Sequence, residues 1–97
     1  MRVISRKTLR NFYKIHADAK WALEAWFHEA AAAKWGDPKE IKKRYPSADF
    51  LSGNRVVFNI KGNMYRLIVK MHYNTGIVFI RFIGTHAAYD KIDATTI

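Results

Sequence analysis

Near residue 55 the hydrophobic period of the chain changes from 3.6 to 2, and this limits the fold more than any other feature. In Arg55 to Lys61, Val56, Phe58 and Ile60 alternate with Arg55, Val57, Asn59 and Lys61. That is the pattern of a strand with one face buried. From Met64 to Tyr73 the alternation resumes, with Tyr65, Leu67, Val69, Met71 and Tyr73 on one face and Arg66, Ile68, Lys70 and His72 on the other. Lys61-Gly62-Asn63 and Asn74-Thr75-Gly76 have the composition of tight turns. Ile77 to Ile83 is apolar on both faces except at Arg81, as expected of a central strand.

Upstream of residue 50 the period is helical. Arg2-Val3-Ile4 reads as a short strand, and Ser5 stands where a helix over Arg6 to Ile15 would take its N-cap. Asp18 opens a second helix, in which Ala22, Leu23, Trp26, Phe27, Ala30 and Ala33 recur at three- and four-residue steps, and Gly36 is expected to stop it. Trp21, Trp26 and Trp35 fall at helical spacing, which suits a core or a protein contact better than base stacking. Asp37-Pro38-Lys39-Glu40 has the form of a capping box and predicts a short third helix ending before Pro46. Ala87 to Asp93 reads as a brief helix or coil. No linker or repeat divides residues 1–97, so one domain is expected. The expected fold is α+β: a short N-terminal strand and two to three helices packed on one face of an antiparallel sheet.

Charge narrows the partners. Seventeen Lys and Arg against eight Asp and Glu give +9, and no carboxylate occurs between Asp49 and Asp90. The bases are interleaved with apolar residues, unlike a disordered basic tail, and nucleic acid is the commonest partner of such a domain. The absence of cysteine removes disulfides and thiolate metal sites. Four His with few nearby carboxylates point to no metal site, and no cofactor is expected. No apolar run approaches the ~20 residues of a membrane span, and the N-terminus lacks the apolar core of a signal peptide. A cytoplasmic location with no membrane contact is the expectation.

"RFIGTHAAYDKI", residues 81–92, follows the apolar run Ile77 to Ile80 and carries Thr85, His86, Tyr89 and Lys91 close behind Gly84. Each His taken alone is more often structural or exposed than catalytic, and a basic side chain on an open sheet face is usually just solvated. That bland reading covers much of Lys70 and Arg55. The end of a rigid strand, however, is where polar groups can converge on a site. Lys61 and Arg66 are expected to become neighbours across the Gly62 turn and to meet His86 and Tyr89. Cations, an imidazole and a phenol suit RNA cleavage through the 2′-hydroxyl, which needs a base, an acid and charge stabilisation of the phosphorane. Lys61, Arg66, His86 and Tyr89 are therefore the candidate catalytic residues, with the base and acid roles of Lys61 and His86 unassigned. Asn59, Arg55, Lys70, Arg81 and Lys91 are candidate RNA contacts. In a regular strand Arg81 and His86 face opposite sides, so Arg81 ranks second unless Gly84 marks a bulge.

"VVFNIKGNMYRLIVKMHY" followed by "IVFIRFIGTHAAYDKID" resembles the HigB-type toxins of bacterial toxin–antitoxin modules, within the RelE superfamily. The resemblance implies a RelE-like fold and an endoribonuclease that cuts mRNA, commonly in the ribosomal A site. It also implies a cognate antitoxin of the HigA type with a helix-turn-helix domain. Relatives carry a lysine pair on the strand before the turn; here the matching positions are Asn59 and Lys61. Their arginine after a tyrosine matches Arg66, their basic residue past the strand-end glycine matches His86, and their C-terminal tyrosine matches Tyr89. The alternative from another class is a basic RNA-binding or ribosome-associated module without catalysis, which the charge alone fits equally well.

Overall fold

The computed structural model describes all 97 residues, in the order β1 (Arg2–Ile4), α1 (Arg6–Ile15), α2 (Lys20–Ala32), α3 (Pro38–Arg44), β2 (Asp49–Leu51), β3 (Arg55–Ile60), β4 (Tyr65–His72), β5 (Ile77–Thr85) and α4 (His86–Tyr89). The five strands form one sheet in the order β1-β5-β4-β3-β2. Neighbours are antiparallel except β1, which lies parallel to β5 with Arg2 opposite Ile77. The sheet is therefore mixed, the expected antiparallel meander gaining a parallel edge on one side and the three-residue β2 on the other. No helix is long and apolar enough to cross a membrane.

Alternation decides which face meets the helices. Val56, Phe58 and Ile60 of β3, Tyr65, Leu67, Val69 and Met71 of β4 and Val78 of β5 are buried in one cluster with Leu9, Leu23, Trp26, Ala30 and Ile41. Trp26 meets the Phe58 ring edge-on at 5.4 Å, an arrangement that adds quadrupole attraction to area burial. Asp37 caps α3 by accepting from the Glu40 backbone N–H at 3.1 Å, the N-cap half of the expected capping box; the Glu40 side chain makes no return bond.

Two expected boundaries move. α2 ends at Ala32, four residues before Gly36. Ala33 turns extended, the terminal ammonium of Met1 takes the carbonyls of Ala30, Ala31 and Ala33, and Trp35 drops into the core beside Phe58. At the other end Asp18 lies in a 3-10 turn (Ala17–Ala19) before α2 and caps nothing. Its carboxylate accepts instead from the Tyr65 hydroxyl at 2.5 Å and from Lys61 Nζ at 2.9 Å.

Asp18 is one of three carboxylates used in the same way. Glu24 takes the Tyr13 hydroxyl at 2.7 Å and Arg6 at 3.2 Å, while Glu29 takes the Tyr45 hydroxyl at 2.5 Å and Arg44. Each joins a phenol and a cation from other elements to α2 or the turn before it. Hydrogen bonds from the phenols are the main cause that holds the Asp18 and Glu24 carboxyls below their usual range.

Candidate active site

The sheet face turned away from α1 and α2 carries the site. Register places Asn59, Arg66 and Gly84 in one row across β3, β4 and β5, and Val57, Ile68 and Phe82 in the next. Val57 and Ile68 are only 1% and 0% exposed although they face away from the helices. After α4 the chain runs back across the sheet to Arg55, whose Nε donates to the Ile97 carbonyl at 2.9 Å.

The row beside Arg66 depends on a bulge. Val69 pairs with Ile80 and Ile68 with Phe82, so Arg81 is the extra residue in β5. The bulge lies at Arg81, not at Gly84. It keeps Phe82 beside Ile68 and puts Gly84 opposite Arg66. Gly84 is not a turn residue. It lies inside β5, and a Cβ there would stand 2.5 Å from Phe82 Cζ and 3.3 Å from Ala88 Cβ. The missing side chain lets Phe82 and α4 close over the strand next to Arg66.

α4 then supplies the partners. Thr85 caps it, accepting from the Ala88 N–H at 3.1 Å, which fixes His86 and Tyr89 on a single turn. Arg66 Nε donates to His86 Nε2 at 3.4 Å, and the Arg66 guanidinium carbon lies 5.0 Å from the centre of the Tyr89 ring. Nε2 can accept this bond only through its lone pair, the same lone pair that a base would use to take a proton. On the other side, Arg66 Nη1 stands 3.7 Å from Asp49 Oδ2. The Arg66 side chain is 20% exposed, enough to meet a ligand while the surrounding rows hold it.

Of the four candidate catalytic residues, Arg66, His86 and Tyr89 come together and Lys61 does not. Lys61 sits in the turn with φ 52°, and its ammonium goes to Asp18, the same carboxylate that the core-facing Tyr65 reaches. The expected Lys61–Arg66 adjacency fails because the cross-strand partner of Arg66 is Asn59. Asn59 Nδ2 donates to the Ser47 carbonyl at 3.3 Å, while its Oδ1 is buried without a partner. Arg55 has its donors on the Ile97 and Ser52 carbonyls and so anchors the C-terminal segment. Lys70 lies in the row of Arg55 and Phe79, two residues along β4 from Ile68. Arg81 and Lys91 are exposed and make no ion pair.

The residue that sequence reasoning missed is Asp49. In the sequence it is only the last carboxylate before a long gap, and no pattern marks it. Three-residue β2 brings it against Arg66, opposite Val57.

A guanidinium between a carboxylate, an imidazole and a phenol, in a strongly basic chain, brings together a fixed cation and two groups that can exchange protons. Comparison with known proteins names the class. Residues 19–92 match the HigB toxin family model, described as the RelE-like toxic component of a toxin–antitoxin system. The chain is 27% identical over 96 residues to the mRNA interferase toxin HigB of Escherichia coli K12, covering 97% of this chain and 92% of that protein. The mRNA interferase HigB of Escherichia coli O6:H1 is 24% identical over 94 residues, 95% of this chain and 91% of that one. The chain belongs to the HigB toxin family.

Proposed function

We propose that this toxin is an endoribonuclease that cuts mRNA on translating ribosomes, in the A site, and that a cognate helix-turn-helix antitoxin of the HigA type neutralises it. It would act in the cytoplasm, where translated mRNA is found. The observation that carries the reading is the contact of one guanidinium, Arg66, with both His86 Nε2 and the Tyr89 ring. The names of the curated relatives support the substrate class.

The chemistry follows from these side chains without a cofactor. Arg66 turns its donors to the non-bridging oxygens of the scissile phosphate and frees the lone pair of His86. His86 Nε2 takes the 2′-hydroxyl proton as the 2′-oxygen attacks phosphorus. Charge building on the phosphorane falls against Arg66, which stays cationic throughout. The P–O5′ bond breaks, and the phenol of Tyr89 gives the leaving oxygen its proton. The products are a 2′,3′-cyclic phosphate and a 5′-hydroxyl. Asp49 holds Arg66 until phosphate displaces it. Lys61 has no proton-transfer role in this reading. Lys70, Arg81 and Lys91 add charge along the RNA path, with salt-sensitive binding as the consequence.

The test is induced expression followed by mapping of mRNA 5′ ends. His86→Gln is expected to cut about 10²–10⁴-fold more slowly, the usual value of one proton-transfer partner. Arg66→Ala should lose cleavage and growth inhibition, while Lys61→Met should cleave near the wild-type rate. Folded His86→Gln and Arg66→Ala proteins that cut at the normal rate would refute the site. RNA binding without cleavage, with or without ribosomes, would establish the non-catalytic module instead.

A further inference from the structure

The outer face of α2 leaves a tryptophan uncovered. Trp21 is 88% exposed, and Ile15 at the end of α1 is 82% exposed. Trp26 and Trp35 are core residues, but Trp21 lies five positions before Trp26, about 140° around the helix. With Lys20, Glu24, Ala25 and His28 it lines a shallow groove of about 330 Å³. Trp21, Ala25 and His28 follow the i, i+4, i+7 rule, the ladder that receives a helix laid alongside. Ala25 leaves room in the floor, and Trp21 supplies the anchor, the residue type most enriched at interface hot spots.

The rim is cationic. Lys20 Nζ stands 5.8 Å from the Tyr13 ring, and Arg10 lies one helical turn before Tyr13 on α1. Lys7, Arg10, Lys14 and Lys20 pair with no carboxylate. The one acid in the lining, Glu24, already holds Arg6 and Tyr13. The apolar floor asks for a side chain rather than a ribose.

We propose that this groove docks the toxin's protein partner through an acidic amphipathic helix, which seats an apolar side chain on Trp21 and Ala25 and sets carboxylates against Arg10 and Lys20. The proposal rests on the toxin–antitoxin reading for the existence of that partner. It is separate from the Arg66 site in every residue it uses.

The test uses the full-length toxin and the antitoxin encoded beside it, with affinity by calorimetry and cleavage of translated mRNA measured in parallel. Trp21→Glu, at an exposed position, should keep the wild-type melting temperature and cleavage rate. It should bind the antitoxin about 30-fold or more weakly, as expected for loss of a tryptophan anchor. Arg10→Glu with Lys20→Glu should weaken binding and flatten its salt dependence. Wild-type affinity in both variants overturns the proposal. So does weaker RNA binding by Trp21→Glu with unchanged antitoxin affinity, which would make the groove an RNA contact. A wild-type dimer in sedimentation that Trp21→Glu splits, again with antitoxin affinity unchanged, overturns it in favour of a second copy. Groove-dependent antitoxin binding by a wild type that cleaves no RNA upholds the surface and refutes the nuclease reading alone.

Discussion

A methyl group at position 84 would stand 2.5 Å from the Phe82 ring, closer than real side chains approach. Gly84→Ala must therefore push Phe82 off Ile68 or lift α4, and about 1–3 kcal/mol of stability should go with it. Chemical denaturation measures that loss. Cleavage should fall too, because α4 carries His86 and Tyr89; an unchanged rate in a destabilised Gly84→Ala protein would separate the glycine from the site. At this scale the sequence is partly readable. His86 and Tyr89 stand out because titratable groups crowd behind a glycine at the end of an apolar strand. Arg66 stands out through its strand parity. The expected Lys61–Arg66 adjacency fails because spacing along the chain cannot show a left-handed turn residue whose ammonium leaves for Asp18. Asp49 is unreadable: its position against Arg66 exists only once β2 has paired with β3.

Elements are easier to read than contacts. Strict alternation locates β3 and β4 to within about one residue, because one face is buried and a slip would expose a whole row. β2 escapes because Asp49-Phe50-Leu51 lacks the β-branched residues that mark the equally short β1. β5 runs two residues beyond its expected end and carries a bulge at Arg81. The end of α2 is misplaced because Gly36 looks like a stop signal, whereas burial of Trp35 decides where the helix gives way. α3 is legible from its capping box, and that cap can be tested. Asp37→Ala should cost about 1 kcal/mol by thermal or chemical unfolding. α3 lies outside the Arg66 cluster, so RNA cleavage should not change. A larger loss accompanied by lost cleavage would mean that α3 positions the site.

For the whole molecule, scarcity of acid is the governing fact. Only Arg6, Arg44, Lys61 and Arg66 of the seventeen Lys and Arg meet a carboxylate. Three of those carboxylates bind tyrosine hydroxyls as well, which fixes the pH limits of stability. Asp18, Glu24 and Asp93 have carboxyls held low, by hydrogen bonds from Tyr65, Tyr13 and Thr95 respectively. Their contribution is complete above the ordinary value of 4.5 for Glu and disappears as pH falls through the lowered folded values. The phenols of Tyr13 and Tyr65 are raised by hydrogen bonds to Glu24 and Asp18, and those of Tyr45 and Tyr73 by burial. Their contribution is complete below the ordinary 10.0 and is lost as pH climbs through the raised values. The melting temperature should stay level from about pH 5 to 9 and fall on both sides. A decline between about pH 6 and 8, followed by circular dichroism, would mean that a histidine, not these pairs, controls stability.

One feature of the topology reaches into how the toxin is made. The sole partner of β1 is β5, so Arg2 waits for Ile77 before its strand can pair. During synthesis the sheet stays open at that edge until β5 has left the ribosome, and His86 follows at once behind it. Closure of the sheet and assembly of the Arg66 cluster therefore wait for the same C-terminal stretch of chain.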